Sequence, residues 1–341
     1  QSAKFSGDVK IPENVKFKGE KYTVTTIGIY AFFNCTGLTS ITIPNSVTTI
    51  GDFAFARCAG LTSVSIPNSV TTIGNDAFVS CGNLKNISVS KGNSHYSSEN
   101  GVLFDITKKT LIQCPKGIKG NYAIPNSVTT IGRSAFLFCT GLTSVTIPNS
   151  VTTIGKSAFA SCKGLTSVTI GNSVTTIGKY AFNLCRNLKN INVSTGNSHY
   201  SSENGALFDS SKKTLILCPM GINDEYAIPN GVTTIGETAF YNCTGLEEMT
   251  IPFAGNGSDK THFGYIFGAS SYSNNNSYVP TSLKKVTVLG GEIGSDAFYN
   301  CESLTSVYGK PTTPPTGGSI IFSDNASGRK IYVPMESVNA Y

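Results

Sequence analysis

The sequence predicts an α/β solenoid of about a dozen stacked coils, rich in short strands, with a short helical turn in each coil. Three observations carry that expectation. The string SVTTIG begins at Ser46, Ser69, Ser127, Ser150 and Ser173, with variants from Thr23 and Gly231. Cysteines fall at 35, 58 and 81, and again at 139, 162 and 185, each step being 23 residues. Apolar residues also occupy the same slots in unit after unit. A unit of this size cannot bury its own apolar face, whereas stacked copies can, because each Leu, Val, Ile and Phe then lies on its counterpart.

One unit runs from Leu61 to Asn83. Leu61 to Ile66 has the form L-x-x-V-x-I, in which Val64 and Ile66 alternate with Ser65 and so share one face of a strand. Pro67-Asn68 breaks the strand, since proline has no N–H for a ladder. Val70 to Ile73 is a second extended run, and Gly74 supplies a turn. Asp76 to Cys81 fits one short helical turn that points Ala77, Phe78 and Cys81 inward. Burying one large apolar side chain is worth roughly 1.5–3 kcal/mol. With about eight per coil, the stack has a drive to set against the entropy of ordering the chain.

A longer period overlies the short one. Residues 35–138 and 139–242 align without gaps, with 77 identities in 104 positions. Each block holds regular coils and one longer coil, Leu84–Ile118 or Leu188–Ile222, that shares GNSHYSSENG, LFD, KKTLI and CP. The expected organisation is one solenoid over 1–341. It comprises an N-terminal capping coil at 1–37, stretched by FKGEKY at 17–22, and regular repeats at 38–252. An irregular Gly/Ser/Asn-rich loop follows at 253–282, then terminal coils at 283–341.

Composition narrows the function. Charged residues are only 13% of the chain and the formal net charge is +6. The lysines are scattered, with pairs such as Lys108-Lys109 the longest runs, so nucleic-acid binding lacks its basic stripe. No segment approaches the ~20 apolar residues that span a bilayer. The start, Gln1-Ser2-Ala3, reads as a mature or trimmed end, so a missing export signal does not argue for the cytosol.

These residues resemble the BspA-like leucine-rich repeats of the Treponema pallidum type, in their Bacteroides-type form. The 23-residue unit, the IP-NSVTTIG segment, the AF-x-x-C turn and the longer coil with NGVLFD and CPKG carry the resemblance over nearly the whole chain. IYVPMESVNAY (331–341) resembles the start of the family's terminal cap, cut short here. The resemblance implies a right-handed, horseshoe-like leucine-rich-repeat solenoid on an exported surface protein. It also implies adhesion to host matrix proteins or other microbes, as for several members. It brings no catalytic residues.

The residues themselves offer little chemistry. There is no C-x-x-C pair, and eight of the ten cysteines share one inward slot after Ala-Phe, which reads as a buried ladder of free thiols. His95 and His199 are block copies, each followed four residues later by glutamate, and read as loop-ordering residues. The recurrent Thr-Thr pairs read as exposed strand ladders. No nucleophile, acid–base or metal constellation is visible, so neither enzyme activity nor a cofactor is expected. Two sets of residues are candidates for partner binding. The first is the aromatic set of the 253–282 excursion: Phe253, His262, Phe263, Tyr265, Phe267, Tyr272 and Tyr278, set among Gly, Ser and Asn as in binding loops. The second is the strand face, where Thr42, Ser65, Thr146 and Thr169 project outward. The expected function is extracellular, cell-surface recognition of a macromolecular partner, a protein or a glycan. The alternative is a structural surface spacer.

Overall fold

In the computed structural model, residues 5–255, 261–290, 293–310, 321–325 and 327–335 are described. The chain is a strand-rich β-solenoid of about 13 turns with very little helix. It divides into two compact units, Gln1–Leu165 with Ile170–Cys185, and Thr166–Thr169 with Arg186–Tyr341.

In the first unit the L-x-x-V-x-I runs form parallel pairs. Gly7–Lys10 lies on Leu38–Thr42, Ser63–Ile66 on Asn86–Val89, and Gly120–Ala123 on Leu142–Thr146. The Thr-Ile runs form a second ladder, in register as Thr26, Thr49 and Thr72, then as Thr110, Thr130, Thr153 and Thr176. Threonine hydroxyls add rungs to it, Thr48 donating to the Thr25 carbonyl and Thr152 to the Thr129 carbonyl, each at 3.3 Å. A glycine follows each Thr-Ile because the coils touch there: a Cβ on Gly155 would lie 2.7 Å from the Arg133 amide nitrogen.

The inward slots pile up as the repeat predicts. Phe55, Phe136 and Phe159 are fully buried and Phe78 nearly so. Phe32, Phe55 and Phe78 stack at 5.2 and 5.4 Å, and Phe136, Phe159 and Phe182 at 4.8 and 5.5 Å. Stacked aromatic pairs add to the area they bury. All ten cysteines are buried and free. The thiols of Cys58, Cys81, Cys162 and Cys185 each donate to the phenylalanine carbonyl one rung back, at 3.0 Å. A small, weakly donating side chain suits that slot, which is why it recurs.

One expectation about backbone changes. Asp76–Cys81 and its equivalents are tight turns rather than helical ones. Two residues per rung take the left-handed conformation, as at Asp76 (φ 54°) and Ser80 (φ 59°), or Ser157 (φ 56°) and Ser161 (φ 59°). The reason is where the amides point. Phe55 N–H donates to the Ala77 carbonyl at 2.8 Å and Arg57 N–H to the Val79 carbonyl at 2.9 Å, so these donors run to the next rung and not along their own. Among the described residues helix occurs only at Phe263–Phe267, Tyr272–Asn274 and Asn275–Tyr278.

The longer coils are antiparallel meanders. In the first unit Tyr96–Glu99, Val102–Asp105 and Thr110–Gln113 pair in sequence. Asn100 (φ 50°) and Gly101 (φ 80°) make the two-residue turn that an Asn-Gly step favours. The first-coil insertion is likewise a hairpin, Asn14–Phe17 with Glu20–Thr23.

In the second unit Asp224–Ala227, Leu246–Ile251, Lys285–Val288, Ser306–Gly309 and Lys330–Tyr332 form a five-stranded parallel ladder. Met249, Val286 and Val307 occupy equivalent inward positions along it. The resemblance to a terminal cap falls partly on 336–341, which lies outside the described residues, as do Gln1-Ser2-Ala3.

Candidate partner-binding surface

The described part of the 253–282 segment, residues 253–255 and 261–282, is not a loop laid on the outside. Phe240 N–H donates to the Ile266 carbonyl at 2.8 Å, the bond that a phenylalanine elsewhere makes to the alanine of the next Ala-Phe pair. Ile266-Phe267 therefore stands in the Ala-Phe slot. Phe263 N–H donates onward to the Ala297 carbonyl at 2.7 Å. The segment thus supplies a rung with two phenylalanines, Phe267 toward Phe240 at 5.9 Å and Phe263 toward Phe298 at 5.4 Å. Asn275, fully buried, staples it by accepting from Gly264 N–H at 3.1 Å and donating to the Tyr299 carbonyl at 2.7 Å.

This placement corrects the expected aromatic docking surface. His262, Phe263, Tyr265 and Phe267 are buried and Phe253 packs against the same core. Their area is used in stacking the coils, so they do not face a partner. Tyr272 and Tyr278 are the members left exposed, Tyr272 lying edge-on to Tyr299 at 5.1 Å. On the strand face Thr42, Ser65 and Thr146 are exposed and Thr169 is partly so.

Among the described residues neither His95 nor His199 pairs with the glutamate four residues on. His95 N–H and Tyr96 N–H both donate to Asn93 Oδ1, so the segment is an ordered turn. Glu99 pairs with Lys108 at 2.5 Å, and Glu203 with Lys212 at 2.6 Å. Among the described residues no three potential metal ligands gather, and no helix is long and apolar enough to cross a membrane.

A different surface stands out in the first unit. Tyr30 and Phe33 are exposed and meet edge to face at 5.4 Å, while Tyr30 stacks on Phe53 at 5.2 Å. The Arg57 guanidinium lies 5.5 Å from the Phe33 ring, and Ile29, 64% exposed, borders the group. Tyr30 (φ 59°) and Phe53 (φ 54°) occupy the left-handed slot that holds Asp76, Ser134, Ser157, Tyr180 and Thr238 in other rungs. That conformation is costly for a bulky side chain. The signal was present in the sequence, because 104 residues on these four positions read Ser134, Leu137, Ser157 and Ser161. The cluster departs from its own repeat.

The model of the BspA type leucine rich repeat region matches in six copies, over residues 8–120, 105–223, 222–286 and 270–340. Among solved structures, a leucine rich cell surface protein from Faecalibacterium prausnitzii is 25% identical, with 98% of this chain and 89% of that chain covered and a TM-score of 0.56. A leucine-rich repeat protein from Eubacterium ventriosum is 23% identical, with 93% and 82% covered and a TM-score of 0.49. One from Bacteroides ovatus is 23% identical, with 96% and 92% covered and a TM-score of 0.42. No curated protein sequence matches the chain. The six repeat matches, together with the stacked Phe and Cys slots, assign this chain to the BspA-type leucine-rich-repeat family.

Proposed function

We propose that the protein is an extracellular, cell-surface recognition protein whose solenoid surface docks a macromolecular partner, with the Tyr30–Phe33–Phe53–Arg57 cluster as its anchor. The observation that carries this reading is the gathering of Tyr30, Phe33, Phe53 and Arg57 into one surface cluster, where the copy 104 residues on has Ser134, Leu137, Ser157 and Ser161. Clustered Tyr and Arg side chains dominate binding energy at interfaces, because rigid rings bury large area at little entropic cost. The similar Faecalibacterium prausnitzii chain is described as a cell surface protein, which supports the location. In the same unit the exposed Thr42, Ser65 and Thr146 offer further contact area, and in the second unit Thr169, Tyr272 and Tyr278 stand as candidates by themselves. No group in these surfaces is arranged for bond making, so the reading is binding without catalysis.

The test is solid-phase binding to immobilised collagen, fibrinogen and laminin. It compares the unsubstituted chain with Tyr30→Ser, Phe33→Leu, Phe53→Ser and Arg57→Ser combined, the residues of the later copy. Capture that falls at least ~10-fold in the variant, a loss of about 1.4 kcal/mol, supports the anchor. Equal capture of both proteins removes the cluster from the site. Absence of capture of either protein favours a spacer role.

A further inference from the structure

The first longer coil carries a shortened rung. In a regular rung four residues separate the Ile of Thr-Ile from the Phe of Ala-Phe, as Gly74 to Ala77 separate Ile73 from Phe78. In the longer coil Gly132 N–H donates to the Leu111 carbonyl at 2.8 Å, placing Leu111 in the Ile slot. Cys114 N–H donates to the Ala135 carbonyl at 2.8 Å, placing Cys114 in the Phe slot. Only Ile112 and Gln113 lie between, so the rung is two residues short.

The shortage leaves a notch between the neighbouring rungs. A cleft of about 170 Å³ opens there, lined among others by Gly74, Asn75, Asp76, Phe78, Gln113 and Arg133. Its walls carry matched groups. In regular rungs the residue before Ala-Phe donates its N–H to the next rung: Phe53 to the Asn75 carbonyl at 3.1 Å, Ser134 to the Lys156 carbonyl at 3.0 Å. By that pattern Asp76 N–H would donate to one missing residue, and the Arg133 carbonyl would accept from the other. Among the described residues Asp76 N–H has no acceptor and the Arg133 carbonyl has no donor. Both residues border the cleft, so a ligand seated in it can bond to these two main-chain groups. The Asp76 carboxylate, its side chain only 6% exposed, lies 3.4 Å from the Arg133 guanidinium, whose side chain is 55% exposed.

We propose that this notch is a binding site for a zwitterionic dipeptide. The ligand's carbonyl accepts from Asp76 N–H and its amide N–H donates to the Arg133 carbonyl, restoring the missing rung. Its ammonium faces the Asp76 carboxylate and its carboxylate faces the Arg133 guanidinium, which also supplies paired donors. A cleft lined by one donor, one acceptor, one acid and one base matches that molecule in every group, and a single anion or cation would leave half of them unused. At the positions of Asn75, Asp76, Gln113 and Arg133 the later copy has Lys179, Tyr180, Leu217 and Glu237, so the site belongs to the first longer coil alone.

The test is titration of the full chain with L-alanyl-L-alanine, read by amide NMR shifts and hydrogen exchange at Asp76. The expected result is a saturable shift at Asp76 and Phe78, with exchange at Asp76 slowed at least ~10-fold, as for an amide that gains a bond. Asp76→Asn and Arg133→Gln each weaken binding at least ~10-fold, about 1.4 kcal/mol. Arg133→Gln alters a largely exposed side chain and keeps the test valid should Asp76→Asn disturb folding. The proposal is overturned if saturating dipeptide leaves Asp76 unchanged, if both variants bind as before, or if N-acetyl-alanyl-alanine amide binds equally well. The last result would assign the notch to an internal peptide segment. The aromatic cluster is untouched by these changes, so failure here leaves the surface-recognition reading standing.

Discussion

Residues 35–138 and 139–242 are two copies of one block, and they have diverged unevenly. The stacked slots agree: Phe55 with Phe159, Phe78 with Phe182, and Cys58 with Cys162. The other slots of the turns disagree: Asp52 with Lys156, Phe53 with Ser157, Asp76 with Tyr180, and Ser80 with Leu184. A side chain that lies on its counterpart above and below is fixed by two neighbours at once, and close packing penalises any change of volume. An outward side chain has no such constraint. Divergence therefore collects mostly in the turns, and both sites inferred above draw on turn residues. Buried slots change too, mostly between apolar residues, as Ile41 with Val145 and Val102 with Ala206. Lys116 is buried in the first copy, its amine without a hydrogen-bond partner, where the second copy has buried Met220.

The comparison can be broken most severely at the core. Phe55→Ala and Phe159→Ala should each cost about 3–5 kcal/mol, since both rings are fully buried between two others. Urea unfolding measures both, and a cost at one site less than half that at the other would show that the copies do not share one packing. Next in size, Lys116→Met should stabilise the chain by about 1–3 kcal/mol, because it removes a buried, unpartnered polar group and installs the residue of the second copy. A lower urea midpoint for that variant would mean that the amine is held by something worth keeping.

The thiol ladder gives a pH dependence common to both copies. Burial pushes the Cys58 thiol up to about 12, and the hydrogen bond with Cys185, together with burial, holds Cys162 well above its ordinary range. The unfolded chain releases these protons near the ordinary value of about 8.5, the folded chain only near 12 for Cys58. Between those values the folded state holds more protons, so stability is complete below the lower one and falls as pH rises toward the upper. Urea midpoints should decline from neutral pH toward pH 11, and Cys58→Ala should make that decline shallower. An equal slope in the variant would count against a buried neutral thiol. The smallest effect is expected at the surface. Phe53→Ser, the residue of the second copy, should change stability by no more than about 0.5 kcal/mol. A much larger thermal shift would make Phe53 a packing residue and weaken its assignment as an anchor.

Legibility differed by element. The strands, the Thr ladder, the inward Phe and Cys slots and the coil spacing could all be read from period alone, because stacking makes every rung obey the same geometry. The tight turns at Asp76–Cys81 were mistaken for helical ones, since inward Ala, Phe and Cys at that spacing fit a helix equally well until the amides are seen to bond between rungs. The meander of the longer coil carried its Asn100-Gly101 signal in plain view. The aromatic set of 253–282 misled for a physical reason: phenylalanines in a Gly/Ser/Asn-rich stretch look like anchors, yet a coil lacking its Ala-Phe pair must fill that slot with something large and apolar, and Ile266, Phe267 and Phe263 do so.

The sequence by itself determined that equivalent apolar residues would stack, because a 23-residue period admits no other way to bury them. It did not determine which aromatic rings are spent on that stack and which stay at the surface. Tertiary structure alone decided that, by running the hydrogen bonds from rung to rung. The same bonding bared the notch at Asp76 and Arg133, since a two-residue shortage becomes a cleft only when the rungs on either side are held in place.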